Sequence, residues 1–310
     1  MKIYQTNMNS EIEKPKVIVW GTRDKPFKKT IVDLLWNGRG KEKQIKDFKE
    51  HIKQVLNENG MNEYNKAFTH RSANENDNYE VYEQLGDVTV NKSIVWYLYR
   101  RFPQLKCPEG VKVVARLRIN LVSKKSFATF GEKLGFWNFV SADEETKRTK
   151  MKKILEDIFE AFFGVTEMLF DTIQMGMGYK VCYNIIEYLF NQEQISLKYC
   201  DLYDAKTRLK ETFDCFAKQG IGQMKFSSET KEVTKDIWES KGGQGNKITY
   251  HIHDVTVFQK IGLHEIPLGK GSASLKADAE QRASDVALKT LAQKGFKRPI
   301  PKEYAKFDSM

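Results

Sequence analysis

The sequence predicts an all-α domain followed by a small α+β domain, and three observations carry that expectation. Between Gln44 and Gln192 apolar residues recur at helical spacing with no strand-like alternation. From Lys247 to Gln259, KITYHIHDVTVFQ, they alternate as in a strand. A chain of 310 residues is also long enough for about two domains.

In chain order, residues 1–45 mix Pro15, Pro26 and the basic run NGRGKEK without sustained periodicity and read as an extension, partly packed and partly mobile. IKDFKEHIKQVL then places Ile45, Phe48, Ile52, Val55 and Leu56 on one helical stripe, ended by the turn residues NENGMN. After YNKAFTHRSAN, where His70 and Arg71 read as a helix end or as neighbours of a site, a helix starts near Tyr79. It is apolar on most faces, so it reads as interior, and Pro103 stops it. Glu109 to Phe136 fits one long helix or two shorter ones ending at Gly131 or Gly135, and the charged stretch Ser141 to Lys153 reads as a loop. A helix follows from Ile154, and Gly178 to Phe190 forms the last of this domain. Beyond Ser196, Asp204 to Gln219 is an amphipathic helix with Asp204 as N-cap. GGQG (242–245) and GKG (269–271) read as turns, and Ser274 to Leu291 as a helix rich in small residues.

Composition narrows the partners. The excess of 51 Lys and Arg over 41 Asp and Glu, net +10, favours a polyanion. The 4 cysteines are scattered without zinc-finger spacing, so they read as reduced thiols. No apolar run reaches the ~20 residues of a membrane span, and the polar N-terminus lacks a signal-peptide core. These features predict an intracellular protein without membrane association, cytoplasmic in preference to nuclear.

Within this frame two stretches gather carboxylates. Tyr79 to Asp87, YEVYEQLGD, sets Glu80, Glu83 and Asp87 at helical spacing, and ILEDIFEAFF (154–163) sets Asp157 and Glu160 one turn apart. Acidic groups among apolar neighbours need a cation, and facing helices of this kind would make an all-oxygen site for Mg²⁺ or Mn²⁺. Spacing alone leaves a solvated, lysine-paired helix face equally open.

The ordered set of motifs resembles the ribonuclease III family. YEVYEQLGD matches its signature helix, LEDIFEAFFGV (155–165) its second acidic motif, AFTHRSA (67–73) its ALTHRSA segment and EGVKVVARLRINLVS (109–123) its EG…LR..LV stretch. DAKTRLKE (204–211) and GKGSASLKADAEQRASDVAL (269–288) resemble the double-stranded-RNA-binding domain that often follows. The resemblance implies a catalytic domain at 46–193, an α-β-β-β-α binding domain at 200–295 and a tail at 296–310.

It also implies roles. Glu83, Asp87, Asp157 and Glu160 match the metal-ligating carboxylates, with Asp87 and Glu160 catalytic, and Lys153 matches a lysine near the scissile phosphate. Glu80 and Glu109 match supporting acidic positions, and Thr207, Lys210, Glu211 and Lys276 match RNA contacts. The implied activity is two-metal hydrolysis of double-stranded RNA by a homodimer with Mg²⁺, or Mn²⁺ in its place. The products would carry 5′-phosphates and 3′-hydroxyls with short 3′ overhangs. Three departures stand out: Gln84 replaces an aromatic or apolar residue, GGQG replaces a GPxH-like loop, and some twenty residues intervene before the first clear strand. A non-cleaving protein that sequesters duplex RNA, as a silencing suppressor would, and an all-α metal phosphohydrolase acting on nucleotides are the competing readings.

Overall fold

The structure, a computed structural model, describes residues 16–40, 45–237 and 246–308, which fall into two compact units divided after Gln194. The GGQG segment lies outside the described residues.

In the first unit the described elements run β1 (Ile18–Val19), α1 (Lys25–Asn37), α2 (Ile45–Val55), α3 (Glu58–Ala67), α4 (Glu80–Arg101), α5 (Gly110–Leu121) and α6 (Lys124–Lys133). They continue with β2 (Ala142–Asp143), α7 (Glu144–Thr149), α8 (Met151–Asp171) and α9 (Met177–Phe190). The open choice over 109–136 resolves as two helices, α5 and α6, with Ser123 capping the second and Gly135 leaving it at φ +70°. The expected loop at 141–153 instead holds β2, which pairs with β1, and the short helix α7, capped by the Asp143 carboxylate at Thr146 N.

Helix α8 is the hub, packed by α3, α4, α6 and α9, and nearly every residue from Ile154 to Thr166 is buried. Its phenylalanines interlock: Phe159 lies 4.9 Å from Phe127 and 5.1 Å from Phe163, and Phe162 lies 5.8 Å from Phe136. Crossing it, α4 comes into backbone contact. A Cβ on Gly86 would sit 1.8 Å from the Glu160 carbonyl oxygen, and one on Gly164 2.1 Å from that of Tyr82. Only glycine permits this approach.

Of the residues before 45, the described stretch 16–40 packs into the unit. Helix α1 starts from the Asp24 cap with Pro26 in its first turn, where a missing N–H costs nothing, and buries Phe27, Ile31, Leu34 and Leu35. Ahead of it, the Arg23 guanidinium donates to the carbonyls of Asn65, Phe68 and Phe139 and to Ser141 Oγ. Burial lowers its pKa to about 10.

The expectation that α4 is interior holds for one face, with Tyr82, Gly86, Thr89, Val90, Ser93, Ile94, Tyr97 and Leu98 buried. Val81, Leu85 and Val88 are 68%, 49% and 66% exposed, and Gln84 beside them is exposed too, so it does not pack against the acidic cluster.

The second unit comprises α10 (Tyr199–Leu202), α11 (Ala205–Phe216), β3 (Gln223–Ile237), β4 (Asn246–Ile261), β5 (His264–Ala273), α12 (Lys276–Gln293) and α13 (Lys302–Asp308). Asp204 caps α11, its Oδ1 accepting from Thr207 N at 2.9 Å. The sheet is antiparallel in the order β3-β4-β5, and its core joins Leu209 and Phe213 of α11 and Ala279, Ala283, Ala287 and Leu291 of α12 to Val255, Val257 and Leu268.

Two readings change here. The residues before the first clear strand are themselves strand β3, paired with β4 from Gln223↔Lys260 to Ile237↔Asn246. GKG is not a turn but part of β5 under α12, where a Cβ on Gly269 or Gly271 would meet Ala283 backbone atoms at 2.4 Å. In the described part of the tail, to residue 308, α13 buries Tyr304 and Phe307, and Asp308 accepts from Tyr199 N at 2.7 Å. The free cysteines among the described residues include the buried Cys182, and no helix there is long and apolar enough to cross a membrane.

Candidate metal centre

The glycine contact between α4 and α8 brings the two acidic stretches together. Glu83 comes from the first turn of α4, Asp157 and Glu160 from the second and third turns of α8, and one carboxylate oxygen of each lies within 4.8 Å of the others. Asp157 and Glu160 are 4% and 8% exposed, and Glu83 is half-buried. Two of the three carboxylates have no solvated face.

The electrostatics show how little protein charge compensates them. Burial, with Asp157 adding to it and Lys153 opposing, raises the Glu83 pKa to about 7. Burial, followed by repulsion from Asp87, Glu156, Glu83 and Asp157, raises Glu160 to about 8. A compact, oxygen-only donor set carrying excess negative charge fits a hard divalent cation such as Mg²⁺ or Mn²⁺.

The other predicted residues fall at graded distances from this cluster. Asp87 is exposed one turn beyond Glu83, outside the group of three. Its Oδ1 accepts from Asn91 Nδ2 at 2.8 Å, and it reaches the centre only through its field on Glu160. Lys153 is inside. Its Nζ donates to Asp157 Oδ1 and lies 3.5 Å from Glu83 Oε1. Burial works against its charge, yet Asp157, Glu156 and Glu83 hold its pKa above the ordinary lysine value. Glu80 is exposed and pairs with Arg71 at 3.4 Å, and Glu109 is exposed at the start of α5; neither joins the cluster.

Three features of the site, four residues in all, were not singled out from sequence. The Tyr79 hydroxyl, in a buried side chain, donates to Asp157 Oδ2 at 2.9 Å and fixes that carboxylate. The 67–73 segment props Tyr79 in turn: Thr69 O accepts from Tyr79 N at 3.0 Å, and the half-buried His70 ring lies edge-on to it at 5.6 Å. Glu156, the residue before Asp157, is the second. Gly86 and Gly164 are the third, since they set the helix separation. Tyr79 opens the signature stretch and both glycines lie inside the quoted motifs, but nothing in a linear pattern says what a tyrosine or a missing side chain touches.

In the second unit, Lys210, Thr207 and Lys276 are not buried. Thr207 Oγ1 donates to Asp204 Oδ2 at 2.7 Å, and Lys276 begins α12. Glu211 is different: its Oε2 accepts from the Tyr199 hydroxyl and from Arg298 Nη1 at 2.6 Å, tying α11 to the C-terminal segment.

Comparison with known proteins places these elements. The model of the Ribonuclease III domain matches residues 80–168, from the first residue of α4 almost to the end of α8. A protein of Invertebrate iridescent virus 6 named "Putative ribonuclease 3" is 37% identical over 302 residues, covering 93% of this chain and 95% of its own length. One of the same name from Frog virus 3 is 35% identical over 266 residues, 85% of this chain and 64% of the relative. A solved nuclease domain of ribonuclease III from Campylobacter jejuni is 26% identical and covers 45% of this chain and 94% of its own, with a TM-score of 0.36. Because the first of these matches this chain along nearly its whole length, and the domain match spans both acidic helices, the chain belongs to the ribonuclease III family.

Proposed function

We propose that this endoribonuclease hydrolyses double-stranded RNA at the centre formed by Glu83, Asp157 and Glu160, with Asp87 completing the acidic set for two divalent cations. The observation that carries the proposal is the cluster of carboxylates pressed together by the α4–α8 glycine contact, with ligand oxygens within 4.8 Å. Bound there, Mg²⁺ or Mn²⁺ would lower the pKa of a water and neutralise charge building on the phosphorus.

The chain's own residues supply the rest. Tyr79 keeps Asp157 oriented through its hydroxyl. Lys153, an ammonium anchored at the rim of the cluster, can offer charge to the scissile phosphate. In-line attack of water would leave a 5′-phosphate and a 3′-hydroxyl. The exposed apolar face of Val81, Leu85 and Val88, next to the cluster on α4, supports a homodimer that pairs two such centres and cuts the strands with a short 3′ overhang.

The second unit we read as a double-stranded-RNA-binding domain. Its α-β-β-β-α core supports this, with the exposed Lys210 and Lys276 placed to approach phosphates and 2′-hydroxyls, and Thr207 too where its bond to Asp204 exchanges. Glu211 would take part only if its bonds to Tyr199 and Arg298 opened.

The test is incubation of purified protein with long duplex RNA and Mg²⁺, alongside Glu160→Gln and Asp87→Asn. Cleavage abolished in the first variant and strongly reduced in the second is the expected outcome. Binding of duplex without cleavage by the unmutated chain would overturn the reading, and hydrolysis of free nucleotides instead would point to a phosphohydrolase.

A further inference from the structure

We propose that Lys153 and the divalent cation compete for the same carboxylates, and that Glu156 is the seat to which the Lys153 ammonium withdraws when the cation binds. The inference rests on the metal-centre reading and deepens it.

The Lys153 Nζ touches three carboxylates at once. It donates to Asp157 Oδ1 and lies 3.5 Å from Glu83 Oε1 and 3.6 Å from Glu156 Oε2. Asp157 and Glu83 are two of the three candidate ligands. A divalent cation that takes their oxygens therefore takes the lysine's partners, and two cations at that separation repel.

Glu156 is the partner that the metal centre does not use. It precedes Asp157 on α8, so Lys153 reaches Glu156 at i,i+3 and Asp157 at i,i+4 from the same backbone position. Exchange between them needs only rotation within the lysine's flexible stem. The Glu156 side chain is mostly buried, and its Oε2 accepts no hydrogen bond; Lys124 Nζ, at 3.4 Å, adds charge without providing one. A buried carboxylate oxygen in that condition is costly, and an arriving ammonium would satisfy it. The move would keep the ammonium beside the centre, available to a substrate phosphate.

Isothermal titration of Mg²⁺ into the chelator-stripped full chain tests this without RNA. Lys153→Met should tighten Mg²⁺ binding about tenfold, and Glu156→Gln should weaken it several-fold by leaving the ammonium on Asp157. In the Lys153→Met background the effect of Glu156→Gln should shrink to at most about twofold, the share left to the Glu156 charge that reaches Glu160 directly. Glu156→Ala and Lys153→Gln repeat the cycle should either first variant fail to fold, as judged by its thermal melt. An undiminished effect of Glu156→Gln in the Lys153→Met background would overturn the proposal, as would unchanged or weaker binding by Lys153→Met. If the unmutated chain takes up neither Mg²⁺ nor Mn²⁺, the metal centre itself is refuted and the competition falls with it.

Discussion

Replacing Gly86 by alanine tests whether helix separation sets the metal centre. The added Cβ would stand 1.8 Å from the Glu160 carbonyl oxygen, where ordinary contact begins at 3.4 Å, so α4 and α8 must part by roughly 1.6 Å at their crossing. Alanine favours the helix over glycine by about 1 kcal/mol, and overpacking costs about 1–3 kcal/mol, so the net loss of stability is about 0–2 kcal/mol. At about 2–4 °C per kcal/mol for a unit of this size, the melting temperature should fall by no more than ~8 °C. The ligand geometry is far less tolerant. Metal–oxygen distances are held to about ±0.2 Å, so carboxylates shifted by more than an ångström cannot share the ion. Melts recorded across a Mg²⁺ titration should show the stabilisation present in the unmutated chain and absent in Gly86→Ala, with duplex cleavage down about 100-fold or more. A variant that folds, keeps its Mg²⁺-dependent stabilisation and cleaves normally would refute the idea that backbone contact positions the site.

Further outcomes follow from the same geometry. Because burial and neighbouring carboxylates raise Glu83 to about 7 and Glu160 to about 8, above their unfolded values near 4.5, the folded chain binds more protons than the unfolded one between those limits. Their contribution without divalent cations is therefore greatest below about pH 4.5 and is lost as pH rises through about 8. Melts in chelator at stepped pH should show this decline, and Glu160→Gln should flatten it and raise stability at pH 8 by on the order of a few kcal/mol. Tyr79→Phe keeps the ring and removes the donor to Asp157. Mg²⁺ binding should weaken about 10–100-fold, with cleavage recovering at high Mg²⁺, and equal affinity in a titration would dismiss the tyrosine's role. Leu85→Asp, placed in the exposed apolar face of α4, should convert a dimer to a monomer in analytical ultracentrifugation while leaving the melt nearly unchanged.

What the sequence revealed, and what it hid, follows from which physical forces leave a period. Helix α8 was legible because burial on all sides wrote a long apolar run around Asp157 and Glu160. Strand β3 was not. Beyond Ser228 its described side chains are largely exposed on both faces, so no buried side imposes a period of two. The glycines at 269 and 271 looked like a turn because turns and close packing ask for the same thing, the lack of a Cβ. Helix α1 carries Phe27, Ile31, Leu34 and Leu35 at helical spacing, but the stretch around it mixes prolines and a basic run without sustained periodicity, and Pro26 lies in the helix's first turn. On α4 the apolar residues were plain, while the face they share, Val81, Leu85 and Val88, is solvent-exposed in the chain by itself. In the site, spacing paired Glu83 with Asp87 equally. In the structure the first meets the α8 carboxylates and the second is held by Asn91.

Helix α1 also bears on how this enzyme can be divided. A nuclease fragment cut at residue 45, where the recognisable motifs begin, would discard Phe27, Ile31, Leu34 and Leu35 together with the Arg23 guanidinium that holds the carbonyls of Asn65, Phe68 and Phe139. Truncating one large buried side chain costs about 2–5 kcal/mol, and whole domains are stable by only about 5–15 kcal/mol. Losing four at once consumes that margin, so the smallest autonomous catalytic unit is longer at its front than its chemistry requires. Transplanting the motif-bearing helices alone would move the ligands without the scaffold that keeps them in place.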